Sequence, residues 1–155
     1  MQVNGAWREG WARPGQTLLD FLRDELGCTE VKKGCGRGDC GSCSVILDGK
    51  LVDSCLVLAL QAEGSSLTTA AGLGSRENPH AIQQAFLEAG ALQCGFCTPG
   101  MVLAAKALLD EQQRPDVESI KRGLSGNLCR CTGYTKIIEA VQKASGQGTG
   151  QGGED

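Results

Sequence analysis

Gly34-Cys35-Gly36-Arg37-Gly38-Asp39-Cys40-Gly41-Ser42-Cys43 places three thiols within nine residues, and a fourth, Cys55, follows after eleven more. Three thiolates so close in sequence converge only if the backbone curls tightly around a small core. Interleaved glycines permit that curl, because they reach positive φ and leave backbone N–H groups free to point at sulfur. Cys35-x4-Cys40-x2-Cys43 with a distant fourth cysteine is the spacing of a [2Fe–2S] site. A mononuclear zinc site wants two separated ligand pairs, and Cys35 so near Cys40 fits that poorly. The same loop contains two decoys. Gly36-x-Gly38-x-x-Gly41 matches the dinucleotide fingerprint in form, but cysteines fill the loop and Ser44–Leu47 reads as a strand where a helix should begin. Arg37-Gly38-Asp39 would suit a secreted disulfide module, which the odd cysteine count of 9 argues against.

The remaining cysteines extend the pattern. Cys94 and Cys97 form C-x2-C, Cys129 and Cys131 form C-x-C after 31 intervening residues, and Cys28 stands alone. By spacing alone C-x2-C suits a redox pair, half a zinc site or half a cluster, and the two pairs together suit zinc and a cluster about equally. Beside the first motif, a second iron–sulfur cluster is the better reading. With eight thiols committed, Cys28 is read as a small buried hydrophobe.

The chain has 155 residues, enough for one compact domain or two small ones. Fifteen Lys and Arg against 18 Asp and Glu give a net charge of −3, so no nucleic-acid partner is expected. No apolar run approaches membrane-spanning length and no signal peptide opens the sequence, so no membrane contact and a cytoplasmic location are expected. Neither paired catalytic carboxylates nor a nucleophile beside a base is visible, so no catalytic residue is assigned.

Residues 1–72 read as a small α+β unit. Asn4-Gly5 sits between Val3 and the Trp7–Trp11 stretch as a hairpin turn. Thr17 caps a helix carrying Leu18, Phe21, Leu22 and Leu26 that closes at Gly27, and Asp48-Gly49 turns a second hairpin. Leu56–Leu60 is strand or short helix, and Leu67–Thr69 a closing strand. Residues 73–145 read as four amphipathic helices. Their stripes are Ile82/Ala85/Phe86/Ala89, Met101–Leu109, Val117/Ile120/Leu124 and Ile137/Ile138/Val141/Ala144, and together they make a four-helix bundle. Cys97 and Cys131 precede the second and fourth of these helices, where free N–H groups favour anions. Residues 146–155 read as a flexible glycine-rich tail.

Three segments together, Gly34–Cys43, Gln93-Cys94-Gly95-Phe96-Cys97-Thr98-Pro99-Gly100 and Gly126-Asn127-Leu128-Cys129-Arg130-Cys131-Thr132-Gly133-Tyr134, closely resemble the small iron–sulfur subunit of the molybdenum hydroxylases, the xanthine dehydrogenase and aldehyde oxidase family. The resemblance spans about residues 1–145. It implies a plant-type ferredoxin-like (β-grasp) domain followed by an all-α four-helix [2Fe–2S] domain. Cys35, Cys40, Cys43 and Cys55 would ligate the cluster nearer a flavin. Cys94, Cys97, Cys129 and Cys131 would ligate the one nearer molybdenum. The implied partners are a large subunit with a molybdenum–pterin cofactor and a medium subunit with FAD, together a hetero-oligomer that hydroxylates an N-heterocycle, purine or aldehyde. The residue matching Gln93 would bond the pterin, and the Cys131 thiolate would lie on the electron route from it. Ser42 and Ser44 stand where the family often has Ala and Thr, and the N-terminus is short. His80 and the Lys32–Lys33 pair receive no role, and Tyr134 is read as a packing residue. The rivals are a stand-alone two-cluster ferredoxin and a zinc-stabilised interaction module. A fixed subunit predicts exposed apolar patches, whereas a free carrier predicts a charged docking face.

Overall fold

The computed structural model describes residues 1–146; apart from Gly146, the expected tail lies outside the described residues. The chain is α+β. Strands β1 (Gln2–Val3), β2 (Ala6–Trp7), β3 (Ser44–Leu47), β4 (Lys50–Asp53) and β5 (Ser66–Thr68) form one mixed sheet in the order β2-β1-β5-β3-β4. β1 runs parallel to β5 and every other pairing is antiparallel. Both hairpins turn as their sequences require, with Asn4 and Gly5 at φ 52° and 82° and Asp48 and Gly49 at 47° and 80°. The first hairpin is shorter than expected: it ends at Trp7, and Trp11 lies outside it, 91% exposed. The Asn4 side chain ties this turn to the end of β5 by accepting from the Thr69 N–H and donating to the Thr69 hydroxyl.

Thr17 caps the first helix as expected, its hydroxyl accepting from the Asp20 N–H. Regular α1 lasts only Leu18–Asp20, and Phe21–Glu25 then widens into a π turn closed by the Leu26 N–H on the Phe21 carbonyl. The five-residue step lets Phe21 and Leu26 both face the core, which a uniform 3.6-residue period would not. The Leu56–Leu60 run is neither strand nor single helix. Short 3₁₀ turns at Ser54–Leu56 and Ala59–Ala62 flank an extended Val57–Leu58 that bridges to Thr17. Alternation along it turns Ala59 inward and leaves Leu56, Leu58 and Leu60 exposed.

Four helices follow, α2 (Ala81–Glu88), α3 (Thr98–Glu111), α4 (Val117–Gly123) and α5 (Thr135–Ala144). His80, given no role by the sequence, caps α2: its Nδ1 accepts from the Ile82 N–H while Gln83 accepts from the His80 N–H. α3 starts three residues earlier than Met101, because Pro99 is preset for a first helical turn and needs no partner there. Asp116 caps α4. α2 packs on α3 and α5, α4 packs on α3 and α5, and α3 also lies against β3. Leu18, Leu19, Leu22, Val45 and Leu67 centre one hydrophobic core, and Ile82, Phe86, Met101, Ile120, Ile137 and Val141 centre another. Among the described residues no helix is long and apolar enough to cross a membrane.

Candidate metal centres

The 34–43 loop leads directly into β3, and its glycines are there for geometry. Gly36, Gly38 and Gly41 all have positive φ, and a Cβ on Gly34 would lie 2.7 Å from the Cys40 sulfur. The curl aims backbone donors at sulfur. The Arg37 and Asp39 N–H groups lie 3.5 and 3.2 Å from Cys35 Sγ, and the Cys35 N–H lies 3.3 Å from Cys40 Sγ. The amide of Arg37 leads the effects that hold the Cys35 thiol down to about 7.

Hairpin register brings in the distant cysteine. Ser44 of β3 pairs with Asp53 of β4, so Cys43 and Cys55 end side by side at the strand tips. The Ser54 hydroxyl closes the corner by donating to the Cys43 carbonyl at 2.7 Å. Both thiols are buried, and burial pushes Cys43 up to about 12. Cys35 neighbours Cys40, and Cys43 neighbours Cys55, so that within each pair one thiol influences the other's ionisation.

The second set repeats the pairing in loops. Cys94 and Cys131 face each other with sulfurs 3.7 Å apart, both exposed, while Cys97 contacts Cys129 deeper in. Burial is the main reason that Cys97 rises to about 12. Burial also acts to raise Cys129, but the hydroxyl and amide of Thr132, 3.1 and 3.4 Å from its sulfur, help bring it net downward. Gln93 donates to the Cys131 carbonyl at 3.1 Å, stitching the C-x2-C loop to the C-x-C loop. Tyr134, at φ 69°, swings its ring back so that its hydroxyl accepts from the Cys129 N–H at 2.8 Å.

All eight cysteines singled out in the sequence therefore fall into two sets, each made of two thiol pairs. Among the described residues no three Cys, His, Asp or Glu groups converge on a point suited to one metal ion. Two pairs per set match a dinuclear centre in which each metal takes two thiolates, better than a single tetrahedral ion ringed by four. Cys28 stays apart in the first core, its sulfur near the Leu26 carbonyl.

Of the residues that shape these loops, sequence reading missed Asn127 and gave Tyr134 only a packing role. Asn127, 5% exposed, reaches the first cysteine loop, and Tyr134 braces the second. Both stand in the motif that carries the resemblance, yet nothing local marks an asparagine for a partner 86 positions away. A cleft of about 380 Å³ lies between the halves, lined by Ala70, Phe86, Leu92, Pro99, Val102 and Glu30 among others. The Glu30 carboxylate in this cleft accepts from the Thr69 hydroxyl at 2.6 Å.

Residues 1–70 match the family described as "2Fe-2S iron-sulfur cluster binding domain", and residues 69–142 match "[2Fe-2S] binding domain". The chain is 51% identical over 144 residues to the nicotinate dehydrogenase small FeS subunit of Eubacterium barkeri, covering 93% of this chain and 92% of that one. It is 45% identical over 141 residues to the xanthine dehydrogenase iron-sulfur-binding subunit of Escherichia coli, covering 90% and 88%. Among solved structures, quinoline 2-oxidoreductase from Pseudomonas putida 86 superposes with a TM-score of 0.90 at 44% identity, covering 93% of this chain and 89% of that one.

Proposed function

The chain belongs to the small iron–sulfur subunits of the molybdenum hydroxylases, and from that footing we propose which residues hold its clusters and which partners they serve. It is the electron-transfer subunit of an oxidoreductase complex and carries two [2Fe–2S] clusters. A bound cluster of this kind takes up and releases one electron at a time. Cys35 with Cys40 and Cys43 with Cys55 hold one. Cys94 with Cys131 and Cys97 with Cys129 hold the other. The observation that carries this assignment is the division of each set into two thiol pairs.

What the chain itself supplies is charge compensation, shielding and position. The N–H groups of Arg37, Asp39 and Thr132 point at thiolate sulfur and favour its charged form. α3 begins directly after Cys97, and α5 begins four residues after Cys131, so two positive helix ends face the second set. One pair of the first set is buried, which keeps water from it, while Cys94 and Cys131 lie at the surface where a partner's cofactor would approach.

The partners proposed are a large subunit with a molybdenum–pterin cofactor beside Cys131 and Gln93, and a medium subunit with FAD beside the 34–43 loop. Gln93 positions the Cys131 loop and meets the pterin. Electrons then run from the second set to the first during hydroxylation of an N-heterocycle, purine or aldehyde, in a cytoplasmic hetero-oligomer. In this reading α2–α5 form a four-helix bundle that holds the second cluster. Support for a fixed subunit comes from the surface. Leu56 packs over Gly38 yet stays 65% exposed, Phe96 stands exposed inside the C-x2-C loop, and Leu128 is exposed just before Cys129. Free carriers rarely leave such apolar side chains bare around their redox loops. Isolation of the native assembly with metal and flavin analysis tests this. Molybdenum and FAD are expected in about equal amount to this chain; a monomer that keeps all its iron and binds neither would make it a stand-alone carrier.

A further inference from the structure

The register that brings Cys43 beside Cys55 also brings a carboxylate against them. Ser44 pairs with Asp53, and Asp53 Oδ1 comes to lie 3.7 Å from Cys43 Sγ and 3.3 Å from Ser44 Oγ. The hydroxyl proton of Ser44 is turned elsewhere. It meets the Gly41 carbonyl at 2.8 Å, while the oxygen accepts from Asn127 Nδ2 at 3.2 Å. No ion pair among the described residues neutralises Asp53. Of the two donors near Oδ1, that leaves the Cys43 thiol.

Metal binding removes that thiol proton, because the ligand is the thiolate. The contact then sets two negative groups against each other, with Asp53 half-buried and Cys43 buried, where solvent and salt screen them poorly. Cys35 and Cys40 are treated in the opposite way: the Arg37 and Asp39 N–H groups reach Cys35 Sγ, and the Cys35 N–H reaches Cys40 Sγ. Burial leads the effects that push the free Cys43 thiol up to about 12, and the charge of Asp53 acts in the same direction. An electron added to a [2Fe–2S] site spreads one more negative charge over its irons, sulfides and thiolates. A fixed carboxylate in contact with a ligand sulfur therefore disfavours the reduced state, whereas amide donors favour it.

Building on the two-cluster reading, we propose that Asp53 sets the reduction potential of the first site: its carboxylate disfavours the reduced form, so an electron that arrives there is passed on rather than stored. The step it governs moves one electron and no atom. One iron of the first site goes from ferric to ferrous as one iron of the second goes from ferrous to ferric. The first returns to ferric when the electron leaves for the partner's flavin. Asp53 is not a ligand in this and acts only through Cys43.

Asp53→Asn in the native complex, titrated anaerobically with dithionite and redox mediators and followed by EPR, tests this. The first site's signal is the one that survives in Cys97→Ser. Iron and sulfide are expected to stay at about four each per chain. At a fixed potential the oxidised-to-reduced ratio of the first site should fall by about tenfold, which for one electron is a midpoint raised by about 59 mV. The second site, whose cysteines lie away from Asp53, should keep its parent midpoint and serves as the reference within each sample. Asp53→Glu retains the charge and is expected to stay near the parent value. Should Asp53→Asn lose iron, Asp53→Ser removes the charge with a smaller side chain and carries the same test. Full iron with an unmoved first midpoint, an equal rise at both sites, or a shift in Asp53→Glu as large as in Asp53→Asn would overturn the role of Asp53. Fewer than about four iron atoms in the parent protein would remove the two-cluster reading, and this role with it.

Discussion

Cys97→Ser should empty one metal site and spare the other, taking iron from about four to about two atoms per chain with a matching loss of sulfide. Cys97 is half-buried against Cys129, and its replacement leaves one metal of that set with a single thiolate and a poorer hydroxyl donor. The first set has its own core, built from Leu18, Leu22, Val45 and Leu67, and shares no cysteine with the second. Its EPR signal should therefore survive. Cys43→Ser should give the mirror result, keeping only the signal of the set formed by Cys94, Cys97, Cys129 and Cys131. Iron analysis and EPR on both variants check this. Full iron in either variant, or loss of both signals from a folded chain, would contradict the assignment.

Gly100→Ala should be among the most damaging substitutions that touch no cysteine. The new methyl meets the backbone carbonyl of Gly41, and neither side can yield by rotating a side chain. α3 and the first cysteine loop must part, which strains Asn127 Nδ2–Gly41 O and Leu128 N–Cys40 O together. Overpacking of this kind costs about 3 kcal/mol, read as a lower denaturant midpoint with an unchanged slope. Gly123→Ala is the control. Its Cβ would meet only the flexible end of Leu108, 3.0 Å away, and alanine regains up to about 1 kcal/mol of helix propensity, so the net change should be near zero. Equal effects of the two substitutions would mean that the Gly41–Gly100 contact does not hold the halves together.

These two results differ in how visible they are in the sequence. Cysteine spacing is local and chemically narrow, so the eight thiols sort into two sets from the sequence alone. Helix stripes such as Ile82/Ala85/Phe86 are local too, and they are buried where the period places them. Turn chemistry at Asn4-Gly5 and Asp48-Gly49 is equally plain. Features set by distant contacts are hidden. The helix after Thr17 widens because Phe21 and Leu26 must both reach the core, which a single period cannot express. Leu56, Leu58 and Leu60 form part of a continuous apolar run, yet small Ala59 and Ala62 take the inner places. Asn127 has no local mark because its partners, Gly41 and Ser44, come from the other half of the chain. Gln93 stands out only through the resemblance, and its bond to the Cys131 carbonyl is what geometry adds.

Iron, zinc and acid-labile sulfide measured on anaerobically prepared complex, with EPR during stepwise reduction, test the central claim most directly. Two dinuclear sites predict about four iron atoms and about four sulfides per chain, no stoichiometric zinc, and two distinguishable signals. Zinc without sulfide would contradict the electron-transfer account outright, and about two iron atoms with a single signal would contradict its second site.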